Sequence, residues 1–572
     1  MKHSQLIPLG VAVSLFSLSL LPSARAAGSA IWNLNPPSNL WYGATNWTPA
    51  TIPNNIADTA TFGVSNTTSI FQAPGGLLAD LGTFAFNPGA SAYTINFAAN
   101  LFVTSTIGAG VVNNSGVLQA FSLPASSEFR DVNETNNTLS FLNSATAGTL
   151  TQWTVLGSYR GAYRPGELMF NDSATGASAT FIVGPGGSDI GGEDGDGFGG
   201  ILDFRGSSTA DHSTITVTGG LAGVDYGSPP DAFFTDNATA ANATITTTAG
   251  TISLADGGKL EFYSNSTAAS ATITNQGGAV SGALPGQTTF FDTATAGNAT
   301  VIATAGTNGA SGGLVLFYGS ATGGTARCEL FGNGTLNIDG HLAPGVTIGS
   351  LEGDGLVTLG SNSLTVGSNN LDTTFAGVIS GSGSLTKIGR GKVTLVGGNT
   401  YSGRTQVKQG TLSIQDRTGS LMVIAGSVDV DGGTFGGSGL VGGAAVIGNA
   451  TGRQATLEAD QLHGGNFIIQ KSLKFNPGAT CKIDVNSKGG RYSNVWAKGV
   501  TISEGAIFAI SDSSNGIFLP SNLIMINNTS SMPIVGTFAN LPDGGTITVG
   551  QNTYVANYHG GDGNDLLMMV NQ

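Results

Sequence analysis

The sequence is short of charged residues. Asp, Glu, Lys and Arg make up only 10% of its 572 residues, against an average of about 25%. Lysine is absent between Lys2 and Lys259, and the formal net charge is −14. Because nucleic-acid binding needs clustered Lys and Arg, this scarcity excludes a nucleic-acid partner. An acidic surface with few charges suits an extracellular protein that must stay soluble.

Cysteine is equally scarce, since the chain contains only Cys328 and Cys481. Two cysteines so far apart exclude a disulfide framework and a zinc site built from close Cys pairs. Two alternatives stay open from the sequence. The cysteines form one long-range disulfide in an oxidising compartment, or they are two unpaired, buried thiols.

The sequence also lacks long stretches with the 3.6-residue periodicity of amphipathic helices. The 89 Gly residues, with abundant Thr, Ser, Ala, Asn and Val, favour short strands and tight turns instead. At 40%, the apolar share is large enough to build a core and excludes a disordered chain. The composition therefore predicts an all-β fold.

Residues 1–26 have the pattern of a secretory signal peptide. Lys2 and His3 open the segment, Leu6 to Leu21 is mostly apolar, and Ala24-Arg25-Ala26 is a small-x-small cleavage site. An uncleaved membrane anchor is the weaker alternative, because the apolar run is short for a span of about 20 residues. We expect an exported mature chain without a transmembrane segment.

A motif that begins with Phe recurs through the middle of the chain with a period of about 28 residues. In each copy an apolar run ends in Phe, a small polar corner follows, and a β-branched run then alternates with Thr. The alternation places Ile or Val on one face of a strand and Thr on the other. Gly-rich segments of variable length separate the copies and are predicted loops. The copies begin at Phe141, Phe170, Phe204, Phe234, Phe262, Phe290 and Phe317.

One such unit cannot bury its own apolar face, whereas stacked units can. The repeats therefore predict a right-handed parallel β-helix with Gly-rich inter-rung loops and a core ladder of Phe. At about 28 residues per rung, the mature chain would form roughly 19 rungs. The predicted divisions are an N-terminal β-rich capping module at 27–130, a solenoid of the Phe repeats at 131–335, a second solenoid at 336–474 and a C-terminal β-rich end module at 475–572.

Within the second solenoid, residues 377–412 read GVISGSGSLTKIGRGKVTLVGGNTYSGRTQVKQGTL. This segment resembles the autotransporter-associated β-strand repeat, also called the passenger-associated transport repeat. Val393 and Arg404 depart from its usual Leu and Gly. The positions that match are Gly381, Gly383, Leu385, Lys387, Gly389, Gly391, Leu395, Gly397, Asn399, Thr400, Tyr401, Gly403, Thr405, Val407, Gly410, Thr411 and Leu412.

The resemblance implies a bacterial, β-helical passenger that is secreted or held at the cell surface. The expected location is extracellular or on the outer surface of a Gram-negative-type bacterium, with the periplasm left open. Members of this family often carry a C-terminal outer-membrane barrel, and the segment after Gly536 is too short to form one. We therefore expect another secretion route, or retention in the periplasm.

Two acidic segments are candidate calcium sites, because a hard cation prefers oxygen ligands. Asp194 and Asp196 lie in a predicted insertion between rungs. Asp562 and Asp565 lie in a string, 560–568, that fits the calcium nonapeptide of β-helices. For both, a simple solvated loop or hairpin turn is the favoured interpretation, so no cofactor is expected beyond this weak calcium signal.

Other candidate catalytic groups are sparse. The five His residues are scattered, and Gly309 to Gly313 matches G-x-S-x-G around Ser311 but lacks the predicted helix of a nucleophile elbow. Asp203 with Arg205, and Asp211 with His212, are predicted on successive strands and could serve in glycoside cleavage. Thr-x-Thr strings such as 214–218 could form a hydroxyl array for ice or carbohydrate, but solvent-facing strand positions explain them better.

Two functions follow from these patterns. The favoured one is a structural or adhesive protein that displays its loops to carbohydrate, to cell-surface components or to matrix. The alternative is a polysaccharide-active enzyme, a lyase or glycoside hydrolase, on the same scaffold. The enzyme would need Asp, Arg, Lys or His clustered on adjacent rungs of one face, and the sequence does not locate such a cluster. No catalytic residue is predicted, and the oligomeric state is left open.

Overall fold

The computed structural model describes residues 28–72, 80–98, 105–125, 137–158, 164–186, 197–220, 229–415, 422–449, 453–460, 466–512, 514, 520–549 and 551–570. In these ranges the helical structure is one 3₁₀ turn, Ala44–Asn46. The signal-peptide prediction, residues 1–26, and the calcium candidates Asp194 and Asp196 lie outside the described residues.

The strands stack in parallel, each pairing with the equivalent strand of the next rung. Within the described ranges, antiparallel strand pairs occur only towards the two ends of the stack. This architecture confirms the predicted parallel β-helix. In the described residues its strands form four sheets. The first sheet contains Trp47–Thr48, Ala30–Trp32, Thr59–Phe62, Leu81–Phe86, Ser105–Asn113, Asn137–Phe141, Gly166–Phe170, Ile201–Phe204, Asp231–Phe234, Lys259–Phe262, Gln287–Phe290, Leu314–Phe317, Thr335–Asn337, Leu356–Thr358 and Val378–Ser380.

The second sheet runs through almost the whole stack. Its parallel strands number 18 in the described chain, close to the roughly 19 rungs predicted. They are Ser69–Phe71, Thr94–Asn96, Gln119–Leu123, Thr149–Val155, Ser178–Val183, Thr214–Val217, Thr244–Thr247, Thr272–Asn275, Thr300–Ala303, Arg327–Leu330, Ser350–Gly353, Thr373–Phe375, Lys392–Leu395, Thr411–Gln415, Gly433–Ser438, Ala455–Ala459, Ala479–Asn486 and Ile507–Asp512, and Arg491–Tyr492 adds a short antiparallel strand.

Two further sheets complete the C-terminal half. The third sheet contains Gly345–Ile348, Ser363–Val366, Leu385–Lys387, Thr405–Val407, Val428–Val430, Ala445–Ile447, Leu473–Phe475 and Val500–Ile502. The fourth sheet contains Met422–Ile424, Leu440–Val441, Phe467–Ile469, Val495–Ala497, Asn522–Asn528, Asp565–Val570, Asn552–Gly560 and Thr546–Val549. The antiparallel strands of the fourth sheet pair with the edge of Asn522–Asn528, and an open edge there would invite association.

The repeated Phe residues form the predicted core ladder. Neighbouring ring centroids from Phe141 to Phe317 are 4.7 to 4.9 Å apart, and neighbouring rings are inclined by only 4 to 14°. These distances equal the spacing of hydrogen-bonded strands, so each ring lies directly on the next. All seven rings are buried. The stacked Phe residues therefore hold consecutive rungs in one register.

The polar corner after each Phe also links consecutive rungs. Asp172, Asp236 and Asp292 have left-handed backbone, with φ of 53 to 56°. Each Asp carboxylate accepts a hydrogen bond from the backbone N–H at the equivalent corner of the preceding rung, at 2.9 to 3.1 Å. Asp tolerates this conformation better than most residues because its short side chain bonds locally.

The period of the Phe repeats does not continue past them. In the third sheet Val346 pairs with Leu364, Leu364 with Leu385, and Leu385 with Thr405, so each of these rungs is shorter than any Phe repeat. The spacing of the Phe repeats therefore predicts the first half of the stack and overestimates rung length in the second.

The two cysteines are free and buried. Cys328 and Cys481 lie on strands of the second sheet separated by seven successive pairings. At about 4.8 Å per pairing, they are roughly 34 Å apart. A disulfide needs Cα atoms within about 7 Å, so the alternative of unpaired thiols is the one observed. Burial raises the pKa of the Cys328 thiol to about 12.

Candidate functional site

The outward side of the first sheet collects charged residues from four successive rungs. Glu167, Ile201, Asp231 and Lys259 stand one above another in the strand register. Two positions along, Met169, Asp203, Phe233 and Glu261 form the parallel column. An enzyme on this scaffold would require such clustering on adjacent rungs of one face, and the sequence alone does not locate it. We call the set Glu167, Asp203, Arg205, Asp231, Lys259, Glu261 and Tyr263 the acidic face.

Glu167, Asp203 and Arg205 of the acidic face form an ion-pair cluster. Arg205 donates from Nε to Asp203 Oδ2 at 2.5 Å, and its guanidinium lies 4.0 Å from Glu167 Oε1. Thr138 donates its hydroxyl to Glu167 Oε2 at 2.7 Å. Asp203 is only 2% exposed, and its Oδ1 has no hydrogen-bond partner within the described part of the chain. Burial raises the pKa of Asp203 to about 6, although Arg205 opposes the shift.

The other two acidic residues of the face, Asp231 and Glu261, have different environments. Burial raises the pKa of Asp231 to about 7; the nearby Glu261 carboxylate adds to this shift, and Lys259 opposes it. Tyr263 donates its hydroxyl to Glu261 Oε2 at 2.7 Å. Asp231 and Glu261 are diagonal neighbours on adjacent strands. The Cα atoms of such neighbours lie about 7–8 Å apart. The pair therefore combines a carboxyl group that holds its proton near neutral pH with a carboxylate that accepts a hydrogen bond.

A second aromatic ladder lies outside the core, beside the acidic face. Tyr263 and Phe291 have ring centroids 4.6 Å apart, and Phe291 and Tyr318 have centroids 5.4 Å apart, with interplanar angles of 7 and 12°. Because the faces of these rings cover one another, their edges project outward. Tyr318 is 37% exposed. The signal for this ladder is in the sequence, because each of these residues directly follows a core Phe.

The calcium candidates Asp562 and Asp565 lie at a β-hairpin. Gly560 pairs with Asp565 at the turn between two antiparallel strands. Asp565 is buried and accepts a hydrogen bond from the Asn528 backbone N–H at 2.8 Å, whereas Asp562 is exposed. Among the described residues there is no group of three or more His, Cys, Asp and Glu that could hold a metal. Calcium binding remains a prediction, and Asp565 has a structural role at the turn.

The other candidates do not assemble into a site. Asp211 and His212 form an exposed pair, with Oδ1 and Nδ1 2.6 Å apart, at the corner before the strand Thr214–Val217. The pair is predicted on a strand, but it lies in the turn between Ile201–Phe204, which holds Asp203, and the next strand along the chain, Thr214–Val217. Ser311 lies in a loop that leads directly into the strand Leu314–Phe317, whereas a nucleophile elbow needs a helix there.

The Thr-x-Thr strings form a regular array on the second sheet. Thr214, Thr244, Thr272 and Thr300 are paired in register, and all except Thr300 are exposed. They are solvent-facing strand positions, as the sequence favours. No helix in the described ranges is long and apolar enough to cross a membrane.

The fold and its acidic face define a parallel β-helix with a charged, aromatic-edged outer surface. Comparison with protein families matches residues 385–414 to the passenger-associated transport repeat. This match confirms the resemblance seen in the sequence, and it falls on strands of the third and second sheets. The chain therefore carries a repeat that is typical of bacterial autotransporter passengers.

Curated relatives point to the same class of protein. The chain is 40% identical over 92 residues to "Adhesin BmaC autotransporter" from Brucella suis biovar 1 (strain 1330), which covers 16% of this chain and 3% of that protein. It is 31% identical over 129 residues to "Extracellular serine protease" from Serratia marcescens, covering 23% of this chain and 11% of that protein. The chain thus spans a small part of the relatives that it matches.

A comparison with solved structures finds the Haemophilus influenzae Hap adhesin. The superposition covers 90% of this chain and 63% of that one, with 11% identity and a TM-score of 0.22. The strand pairings described above, rather than this superposition, establish the fold.

Proposed function

We propose that this chain is an exported β-helical protein of the bacterial surface with a structural and adhesive role. The observation that carries the proposal is the transport repeat, whose strands continue the rungs of the β-helix without interruption. A relative that is 40% identical over 92 residues bears the name of an adhesin autotransporter, which supports the adhesive role. A stack of rungs exposes a long side surface to a partner, as solenoid proteins do.

The contact surface that we propose is the accessible part of the acidic face, Arg205, Asp231, Lys259 and Glu261, together with the outer ladder of Tyr263, Phe291 and Tyr318. Aromatic edges, hydroxyl groups and carboxylates beside an Arg and a Lys offer both apolar contact and hydrogen bonds. A carbohydrate or a matrix component fits this mixture. Because the acidic face has four carboxyl groups and only two cations, a neutral or cationic partner is favoured over an anionic one.

Surface location is tested on intact cells that produce the full chain. The cells are fractionated into medium, outer surface and periplasm, and a second sample is treated with an external protease before blotting. We expect surface or medium fractions to contain the chain, and external protease to remove the surface-held part. A matched variant without residues 2–26 should stay in the cytoplasm. Retention of the unaltered chain in a protease-protected periplasmic pool would overturn the proposal.

Adhesion is tested with the purified chain on immobilised host-cell and matrix glycans. The variant Tyr318→Ala removes an exposed end of the outer ladder, and Phe331→Ala, which removes a 41% exposed ring elsewhere, is the control. Reduced retention for Tyr318→Ala alone supports the proposed surface. Equal retention of both variants places the contact elsewhere.

A second candidate function, hydrolysis of a neutral glycan, is favoured by one observation: the Asp231 and Glu261 pair. Inverting glycosidases hold an acid and a base about 6.5–9.5 Å apart, and Asp231 and Glu261 are diagonal neighbours on adjacent strands. In that reaction Asp231 would donate its proton to the leaving oxygen, and Glu261 would take a proton from the attacking water. Release of reducing ends from neutral polysaccharides, lost in both Asp231→Asn and Glu261→Gln but kept in Asp339→Asn, would support it. No release by the unaltered chain would exclude it.

A further inference from the structure

The transport repeat contains a lysine whose whole side chain is inside the β-helix. Lys387 ends the strand Leu385–Lys387 and is completely buried. Its partners in the neighbouring rungs are Val366 and Val407, which are also buried. The Lys387 ammonium therefore lies between apolar residues of the core. A buried charge in such surroundings is stable only if it forms hydrogen bonds there.

The ammonium of Lys387 finds three backbone carbonyl groups. Nζ donates to Ile388 O at 2.6 Å, to Gly389 O at 2.9 Å and to Gln409 O at 3.2 Å. An ammonium has three N–H donors, so all of them are used. The first two carbonyls belong to the corner of one rung, and the third belongs to the corner of the next. The side chain thus connects two consecutive corners through their backbone.

Glycines give the ammonium its close approach to the backbone. A Cβ on Gly410 would lie 2.8 Å from Lys387 Nζ, and a Cβ on Gly367 would lie 3.3 Å from it. Gly389 and Gly410 also have left-handed backbone, with φ of 68 and 70°. Any side chain at these positions would crowd the cage and strain the turn. These glycines therefore do more than turn the chain, because they make room for a cation.

The cage works through carbonyl dipoles rather than through a carboxylate. Among the described residues, Lys387 forms no ion pair within 4.0 Å. Asp372 acts on it only at longer range and partly offsets the effect of burial. Burial lowers the pKa of Lys387 to about 8, so the side chain is mostly protonated at neutral pH. Three directed carbonyl oxygens are the ligands that a small monovalent cation receives in a backbone cage.

We propose that this corner of the transport repeat is a monovalent-cation cage that the chain fills with its own lysine ammonium. The cage closes the contact between two rungs and fixes the register of the corners at 388–389 and 409–410. If the side chain is shortened, the vacated space takes a small cation such as ammonium or potassium. This inference concerns the backbone of the β-helix and stands independently of the proposed surface function.

The test compares Lys387→Ala, which vacates the cage, with Lys387→Met, which fills it without charge. Lys392→Met is the matched control, because Lys392 lies in the same repeat and is partly exposed. Each full-length variant is measured in ammonium, potassium and tetramethylammonium chloride at equal ionic strength. Hydrogen exchange is followed at the Ile388 and Lys408 amides, which bond to Val366 O and Lys387 O across the two rungs.

We expect exchange at these two amides to rise about 10-fold or more in Lys387→Ala and Lys387→Met, with no change in Lys392→Met. Ammonium should restore protection in Lys387→Ala far better than tetramethylammonium, and it should have no specific effect on Lys387→Met. Wild-type protection in Lys387→Met, or equal response of Lys387→Ala to all three salts, would overturn the proposal. If Lys387→Ala does not fold, the Lys387→Met exchange result decides the test.

Discussion

The two halves of the β-helix hold their rungs together in different ways. In the Phe-ladder region, residues 137–330, long rungs share an aromatic column at 4.7 to 4.9 Å spacing. In the transport-repeat region, residues 345–415, shorter rungs stack aliphatic side chains instead. Both regions pair their strands in parallel and in register. The comparison shows that the core column fixes the register, whereas the length of the loops varies freely.

Besides its aliphatic columns, the transport-repeat region has buried polar side chains that bond to the backbone. Asn399 accepts from the Ile379 N–H at 2.9 Å and donates to Val423 O at 3.0 Å. Asn399 thus spans the gap between the last strand of the first sheet and the first strand of the fourth. Lys387 likewise bonds to backbone carbonyl groups of two consecutive rungs at another corner of the repeat. In the Phe-ladder region, by contrast, the charged side chains of the acidic face lie on the outer side of the first sheet, where Arg205 is exposed and Asp203 is covered by its neighbours.

The largest expected effect is removal of one ring from the core ladder. Phe234→Ala should lower the free energy of unfolding by about 3–5 kcal/mol, because it leaves a cavity between two stacked rings. Phe331→Ala is the control, since the Phe331 ring is 41% exposed and its loss should cost about 0.5 kcal/mol or less. Denaturant unfolding measures both. A similar effect of the two variants would contradict the role given to the ladder.

The transport-repeat region should be most sensitive at its corners. A Cβ on Gly389 would lie 1.9 Å from Gly367 O, at a φ of 68°. We expect Gly389→Ala to cost about 2 kcal/mol or more, since a backbone clash adds to the left-handed penalty. Gly478→Ala provides the comparison, because Gly478 has a φ of 78° with no atom within 4 Å of the added Cβ. If the two variants melt alike, backbone contact at the corner is unimportant.

The acidic face should make the Phe-ladder region sensitive to pH. The folded-state pKa of Asp231, about 7, lies above the ordinary 3.8, so the fold favours its protonated form. The resulting stability is present below pH 3.8 and is lost as pH rises to about 7. Asp231→Asn should therefore stabilise the chain at pH 8, by about 2 kcal/mol after solvent screening, and have little effect at pH 4. The measurement is unfolding at both pH values.

The exposed Asp339→Asn is the matched variant for this titration. It should leave the difference between pH 4 and pH 8 as it is in the unaltered chain. If Asp231→Asn changed the free energy of unfolding equally at pH 4 and pH 8, the Asp231 carboxyl would titrate normally and the expected pH dependence would be wrong.

The smallest expected effect concerns the second left-handed corner of the Phe repeats. Ala241 and Ala269 occupy it with φ of 49°, whereas the later repeats have Gly297 and Gly324 at the same place. Ala269→Gly should be neutral to stabilising, by up to about 1 kcal/mol, because relief of strain exceeds the gain in unfolded-chain entropy. Gly297→Ala should destabilise, since its Cβ would lie 2.9 Å from Ala269 O. Thermal melts measure both variants. If Ala269→Gly and Gly297→Ala shifted the melting temperature in the same direction, the explanation by left-handed strain would be wrong.

Sequence reasoning predicts the Phe-ladder region well because each rung carries a Phe, a small corner and an alternating strand. It overestimates rung length in the transport-repeat region because the shorter rungs have no such marker. The acidic face is hard to foresee, since Asp203, Asp231 and Glu261 belong to three different repeats and meet only through strand register. Lys387 is different. Alternation from the buried Leu385 already places Lys387 on the core side of its strand, but hydropathy favours the surface for a lysine.

The two regions form one uninterrupted stack, joined by the second sheet at Arg327–Leu330, Ser350–Gly353 and Thr373–Phe375. Residue-resolved hydrogen exchange on the full chain tests it most directly. We predict that amides paired between these three strands are as protected as those within the Phe-ladder region, for example between Thr244–Thr247 and Thr272–Asn275. Fast exchange confined to the three junction strands would show two separate solenoids and contradict the account.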